Sequence, residues 1–187
     1  DIANGTIKLD GSYPTGTENV ALGNTALDSV QSDGNFNTAI GANSGTAITT
    51  GDDNTVIGKN SGNSITTGST NTALGSGSLF SNTTASENTA MGVASMLSTT
   101  IGCQNVALGR NSLRGNVIGN LNVAVGMGAL CNNTASNNTS VGACSLYANT
   151  TGANNTAVGY IALCSNTTGS CNVAIGRDAL DSNTEGS

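Results

Sequence analysis

The 187 residues of this chain include no histidine, so carboxylates and thiols are the main candidates for reactive side chains. Histidine is the usual base at neutral pH and the commonest metal ligand, so serine-histidine-aspartate, cysteine-histidine and histidine-based zinc chemistry are excluded. Asp52 and Asp53 form the only adjacent pair of acids, and the remaining acids follow no calcium-loop spacing. Glycoside hydrolysis requires two facing carboxylates, and the sequence singles out no such pair. We therefore predict that the chain is not an enzyme and uses no metal or cofactor.

The cysteines form an odd set in the C-terminal half of the chain, without Cys-x-x-Cys spacing. They are Cys103, Cys131, Cys144, Cys164 and Cys171. Cys131 and Cys164 lie two repeat units apart, which in a stacked β-structure is about 9.6 Å and too far for a disulfide bond. We predict mostly free thiols, and a bridge between chains remains an alternative.

Composition and charge exclude further classes of function. Five Lys and Arg against eleven Asp and Glu give a net charge of −6, which lacks the basic footprint that nucleic-acid binding requires. No stretch reaches the eighteen apolar residues of a membrane span, so we expect no membrane insertion. With two Phe, three Tyr and no Trp, any core must be thin and built from small aliphatic side chains.

A pentapeptide, Asn-(Thr/Val)-Ala-aliphatic-Gly, recurs ten times at intervals of 16 to 18 residues, most often 17, with Val56 and Ser140 in place of Ala in two copies. A fixed period of this kind is the mark of a repeat architecture. We number the positions of each unit from the asparagine. The ten units begin at Asn19, Asn37, Asn54, Asn71, Asn88, Asn105, Asn122, Asn138, Asn155 and Asn172.

The residue types within each repeat favour strands and turns over helix. Thr or Val stands at position 2, Gly is invariant at position 5, and position 8 is Ala or Ser, followed by Leu or Met except at Gly45 and Gly62. Two Gly and several Thr, Ser and Asn per repeat argue against helical solenoids. We predict an all-β fold in which residues 19–187 form a parallel β-solenoid, or β-roll, of about ten 17-residue coils. One strand would cover the pentapeptide, and a second would lie near the Ser-Leu pair.

Two orientations of the strand are possible. Because side chains alternate across a strand, Asn, Ala and Gly point one way, and Thr/Val and the aliphatic residue at position 4 point the other way. If the small side chains line the interior, the aliphatic column forms an exposed apolar stripe, which is typical of an interface. The opposite orientation would give a self-sufficient monomer, and the sequence favours neither strongly.

The pentapeptide is similar to the head repeats of trimeric autotransporter adhesins and to related repeats of phage tail fibres. The resemblance covers residues 19–187, although the 17-residue unit is longer than the usual adhesin repeat. It implies a left-handed parallel β-roll with three chains to a rod, and so a homotrimer. The segment Gly5-Thr-Ile-Lys-Leu-Asp-Gly-Ser-Tyr-Pro-Thr-Gly16 resembles marine phage virion fibre proteins more than adhesins.

The resemblance therefore implies a structural fibre segment on the surface of a phage virion, acting as a rigid shaft or head for host attachment. Its partners would be other virion or fibre proteins and a host receptor or glycan. A bacterial trimeric autotransporter adhesin on the cell surface is the alternative, and an ice-binding solenoid or a fibre-borne glycan hydrolase is less favoured. We expect residues 1–18 to form an N-terminal cap or docking segment, because Ile7 and Leu9 alternate with polar residues.

Several columns invite a binding function. The Asn column more simply satisfies turn backbone groups and neighbouring amides than binds a ligand. Pairs such as Thr49-Thr50 suggest an ice-binding array, but adjacent residues of a strand face opposite ways. The positions after the invariant Gly and after Leu vary most, and we predict receptor contacts there. The candidates are Lys59, Phe80, Arg110, Arg114, Tyr147, Tyr160 and Arg177.

Overall fold

A computed structural model describes residues 7–8 and 15–187 and shows ten parallel three-residue strands stacked into a β-solenoid of about nine turns. All strands lie in one sheet in chain order, and each position pairs with the same position of the next repeat, as in Val56 opposite Ala73. The strands are β1 (Ile7–Lys8), β2 (Val20–Leu22), β3 (Thr38–Ile40), β4 (Thr55–Ile57), β5 (Thr72–Leu74), β6 (Thr89–Met91), β7 (Val106–Leu108), β8 (Val123–Val125), β9 (Thr139–Val141), β10 (Thr156–Val158) and β11 (Val173–Ile175). The predicted all-β parallel solenoid with a 17-residue coil is confirmed.

The first strand differs from the others in direction. β1 pairs antiparallel with β2, with Ile7 opposite Leu22 and Lys8 opposite Ala21. Most of the predicted N-terminal cap or docking segment, residues 1–6 and 9–14, lies outside the described residues, so that expectation stays a prediction.

The prediction of a second strand near the Ser-Leu pair is wrong. That segment forms a compact turn in every repeat, because positions 7 and 9 adopt left-handed backbone conformations. Leu27 has a φ of 52° and Leu79 a φ of 49°, whereas a β-strand requires a strongly negative φ. The alternating backbone turns the position-9 side chain inward, where Leu27 and Leu79 are fully buried.

The interior is lined by the small face of the strand together with these turn side chains. Ala39, Ala73 and Ala107 are fully buried at the centre of their strands, while the residues on either side of them point outward. Leu113, Leu146 and their equivalents pack against this alanine column. The structure thus selects the orientation with small side chains inside and the aliphatic column outside. No helix occurs in the described residues, and so none that could span a membrane.

The invariant glycine at position 5 is required by both conformation and space. Gly58 has a φ of 131°, a region that residues with a side chain rarely adopt. A Cβ atom there would lie 2.7 Å from the carbonyl carbon of Gly75 in the next repeat. Successive glycines therefore stack directly on each other, which keeps the turns at strand spacing.

Candidate functional site

The asparagines at position 1 form a buried ladder along the solenoid. The backbone N–H and the side-chain Nδ2 of Asn54 both donate to Oδ1 of Asn37, each at 3.0 Å. Nδ2 of Asn54 also donates to the carbonyl of Gly68 at 2.9 Å, which closes the coil on itself. The same contacts recur at Asn71, and both asparagines are fully buried. The structural interpretation of this column is confirmed, and from Asn37 to Asn155 its amides are fully buried and not available to a ligand.

A second buried asparagine ladder occupies position 12, and the sequence analysis missed it. Nδ2 of Asn116 donates to the carbonyl of Gly119 at 2.9 Å, and the N–H of Gly119 donates back to Oδ1 of Asn116 at 3.0 Å. Further along, Nδ2 of Asn149 donates to Oδ1 of Asn133 at 2.7 Å. The available signal was the recurrence of Asn three residues before the second Gly column.

Thr99 interrupts this second ladder between Asn82 and Asn116. Its Oγ1 atom is the one buried side-chain oxygen or nitrogen without a hydrogen-bond partner among the described residues. A buried hydroxyl without a partner loses its hydration without replacement, which destabilises the fold.

Short polar side chains at position 16 form a third column, at the corner before each strand. Oγ of Ser69 accepts the N–H of Asp52 at 3.0 Å, and Oγ of Ser86 accepts the N–H of Ser69 at the same distance. Sγ of Cys103 accepts the N–H of Ser86 at 3.3 Å, so this cysteine takes the place of a serine. Asp52 accepts the N–H of Asn35 at 2.7 Å, which gives this acid a structural role.

All five cysteines are free thiols, which confirms the prediction for a single chain. Burial raises the pKa of Cys131 and that of Cys164, although a hydrogen bond from the Tyr147 hydroxyl and the charge of Arg114 act in the opposite direction on Cys131. The described residues contain no group of three or more Cys, Asp or Glu arranged to hold a metal ion.

The outward side chains at positions 2 and 4 of β2–β11 form a surface that we call the strand face. The face carries no charged residue along the whole stack. Leu74 is 42% exposed and Met91 is 38% exposed, and Val173 and Ile175 are more exposed still. The position-4 column consists of Leu22, Ile40, Ile57, Leu74, Met91, Leu108, Val125, Val141, Val158 and Ile175.

The predicted receptor-contact residues lie in two columns on another surface, the turn face, formed by the outward side chains at positions 6, 7 and 10. Lys59, Arg110, Tyr160 and Arg177 occupy position 6, and Phe80, Arg114 and Tyr147 occupy position 10. All are exposed except Phe80, which is half-buried.

The structure brings only part of this set together. The guanidinium of Arg177 lies 5.7 Å from the ring centroid of Tyr160, and its Nε is 3.2 Å from Oδ2 of Asp178. Arg114 and Tyr147 both act electrostatically on Cys131, which lies between them in the position-10 column. Lys59 and Phe80 belong to the third and fourth repeats, away from this group.

The threonine pairs do not form a two-column array of free hydroxyls. Oγ1 of Thr49 donates to the carbonyl of Thr66 at 3.1 Å, and Oγ1 of Thr66 donates to that of Thr83 at 3.0 Å. The fold therefore uses the hydroxyl of the first threonine of each pair. The exposed second column is interrupted by Ile101 and Ile118, which weakens the ice-binding alternative.

Fold and surfaces together define a β-solenoid repeat protein with a charge-free strand face. Comparison of the chain with protein-family models, curated proteins and solved structures found no match.

Proposed function

We propose that this chain is a non-enzymatic structural segment of a fibre, built as a homotrimer of solenoids. The observation that carries the proposal is the strand face, a charge-free surface along all ten parallel strands, with an unbroken aliphatic column at position 4 and Thr or Val at position 2. Large exposed apolar surfaces mark sites of association. A second copy of the chain has a strand face of the same length and character, so it is the natural partner.

Three copies about an axis, the number that the resemblance of the repeat implies, would cover every strand face, because closed symmetry leaves no copy of the interface unpaired. The buried asparagine ladders and the backbone hydrogen bonds between repeats support a stiff rod. The turn face would then point outward, where receptor or glycan contacts are accessible. No nucleic acid or membrane is part of this proposal.

The resemblance of the repeat supports placement in a phage tail or capsid fibre at the virion surface, with other virion proteins as neighbours. A bacterial trimeric autotransporter-type adhesin is the alternative setting. Immunogold electron microscopy with an antibody against the solenoid distinguishes them, since gold on purified virions supports the first and gold on the bacterial surface supports the second.

Sedimentation equilibrium tests the assembly. We expect a stable trimer for the unmodified chain and a monomer for the double variant Leu74→Lys/Met91→Lys, because two ammonium groups would be buried in an apolar interface. The matched control is Thr84→Lys/Ile101→Lys, which places the same charges in the same two repeats but on the surface of the threonine pairs. It should remain trimeric. A stable monomer for the unmodified chain would overturn the trimer.

A further inference from the structure

Charge is divided sharply along the solenoid. Residues 1–87 carry eight acids and two lysines, residues 88–177 carry three arginines and no acid, and residues 178–187 carry three acids. The net charges are therefore −6, +3 and −3, which sum to the −6 of the chain. A basic band, from the fifth repeat to the first residues of the tenth, thus lies between two acidic segments of the chain.

The basic residues of this band all lie on the turn face. Arg110 and Arg114 occupy positions 6 and 10 of the same repeat, and both are exposed. Neither guanidinium has an ion pair or side-chain hydrogen bond within the described part of the chain. Their donors are therefore free to bind an external anion.

Two exposed tyrosines extend the band along the same two columns. Tyr147 lies two repeats beyond Arg114 and Tyr160 three repeats beyond Arg110, or about 10 Å and about 14 Å at one strand spacing per repeat. Arg177, in the tenth repeat, stacks on Tyr160 of the ninth and is also paired with Asp178. Arginine and tyrosine side chains thus follow one another along the rod axis.

We propose that the turn face from Arg110 to Arg177, in repeats six to nine and the start of the tenth, binds an acidic polysaccharide. Guanidinium groups form paired hydrogen bonds with carboxylate or sulfate oxygens, and the exposed tyrosine rings offer flat apolar surfaces against which sugar rings stack. A linear polymer aligned with the rod meets both groups in turn. The biological role rests on the proposed attachment function, whereas the binding itself is a property of one chain.

Charge argues against nucleic acid as the ligand. The band offers only three arginines, and the segments on either side are acidic. A longer polyanion would extend into these segments and be repelled, because charges within about 10 Å interact at moderate salt. A short acidic glycan segment fits within the band.

Calorimetric titration with an oligogalacturonate and with a heparin-derived oligosaccharide tests the proposal and separates carboxylate from sulfate recognition. We expect at least one of them to bind, neutral dextran not to bind, and the variant Arg110→Ala/Arg114→Asn to lose about tenfold or more in affinity. Other repeats hold Ala42 and Asn63 at these positions, so the variant should fold. Circular dichroism checks that it does.

Lys59→Ala is the matched control, because it removes an exposed cation from the same column outside the band, and its affinity should be unchanged. The proposal is overturned if neither acidic glycan binds, if the arginine variant binds as the unmodified chain does, or if single-stranded DNA binds as tightly. These outcomes are independent of the oligomeric state, so they do not decide the fibre proposal.

Discussion

Repeats two and three fill the solenoid interior differently from repeats four to ten. In the second and third repeats, position 9 is glycine and position 12 is isoleucine, as in Gly45 with Ile48 and Gly62 with Ile65. In the later repeats position 9 is Leu or Met, and position 12 is Asn apart from Thr99. Both arrangements give a fully buried interior, except in the tenth repeat, where Leu180 is 51% exposed.

The two arrangements place the large apolar side chain at different positions of the coil. It stands at position 12 in the second and third repeats and at position 9 in the later ones. A Cβ atom on Gly62 would lie 2.9 Å from Cδ1 of Ile65 and 2.5 Å from Cγ1 of Val56, so these side chains already occupy the space that leucine fills elsewhere. The exchange also removes a strained residue, since a left-handed leucine costs about 1–2 kcal/mol relative to its usual conformation. Paired substitution keeps the interior close-packed.

The two regions also differ in how the backbone N–H of the second turn is hydrogen-bonded. The N–H of Gly51 donates to the carbonyl of Thr66 at 3.3 Å, whereas the N–H of Gly119 donates to Oδ1 of Asn116 at 3.0 Å. The asparagine repeats add a bond from the side-chain Nδ2 to the second turn of the same coil, as from Asn149 to the carbonyl of Gly152 at 2.8 Å. The backbone bond to the next coil is kept in this repeat, since the N–H of Gly152 donates to the carbonyl of Thr167 at 3.3 Å.

We expect the largest loss of stability when glycine is introduced at position 9 of a later repeat without the isoleucine that accompanies it in the second and third repeats. Leu79→Gly should destabilise the chain by about 2–5 kcal/mol, because it leaves a cavity in the fourth repeat. The double variant Leu79→Gly/Asn82→Ile reproduces the Gly and Ile of the second repeat, whose strand also has Ala at its centre, and should recover most of that loss. Urea unfolding of both variants measures the difference. A double variant no more stable than Leu79→Gly would contradict the volume exchange.

Breaking the asparagine ladder at its centre should have a smaller effect. Asn149→Leu removes contacts to Asn133, Gly152 and Asn166 and should cost about 1–3 kcal/mol, because buried polar groups lose their partners. Asn154→Leu is the control, since it is exposed and Leu121 occupies the same position in another repeat. Equal unfolding midpoints for the two variants would show that the ladder adds no stability.

Completing the ladder should stabilise the chain. Thr99→Asn replaces the unsatisfied hydroxyl with an amide that can bond Gly102 and both neighbouring asparagines, and we expect a gain of about 0.5–1.5 kcal/mol. Thr99→Val removes the hydroxyl without adding bonds and is the comparison. Thermal unfolding should rank Thr99→Asn above Thr99→Val, and the reverse order would reject the ladder as the source of the gain.

The smallest effect concerns pH and is confined to the asparagine region, where all the cysteines lie. Because burial raises the pKa of Cys131 and Cys164 in the folded chain, their contribution to stability is complete below the unfolded thiol pKa of about 8.5 and is lost as pH rises above it. The melting temperature should fall slightly between pH 8 and 10. The fall should shrink in Cys131→Ser/Cys164→Ser, and an unchanged fall would assign it to other groups.

The sequence by itself determined the period, the parallel register and the position of the strand. Repeated glycines such as Gly58 and Gly75 tolerate the required φ and the close contact, and Thr and Val at position 2 favour strand, so these features follow from local chemistry. The structural role of the position-1 asparagines was predictable for the same reason. Their amides have only backbone groups and one another within reach.

Only the tertiary structure decided which strand face is buried, and it replaced the expected second strand with a turn. Alternation alone is symmetric between the two faces, and a left-handed Leu79 is locally unfavourable, so the turn forms only because it buries that side chain against the alanine column. The exchange between Gly62 and Ile65 and the ladder through Asn116 arise in the same way. Both depend on contacts across the coil and between turns. The place of a residue in the repeat does not show these contacts.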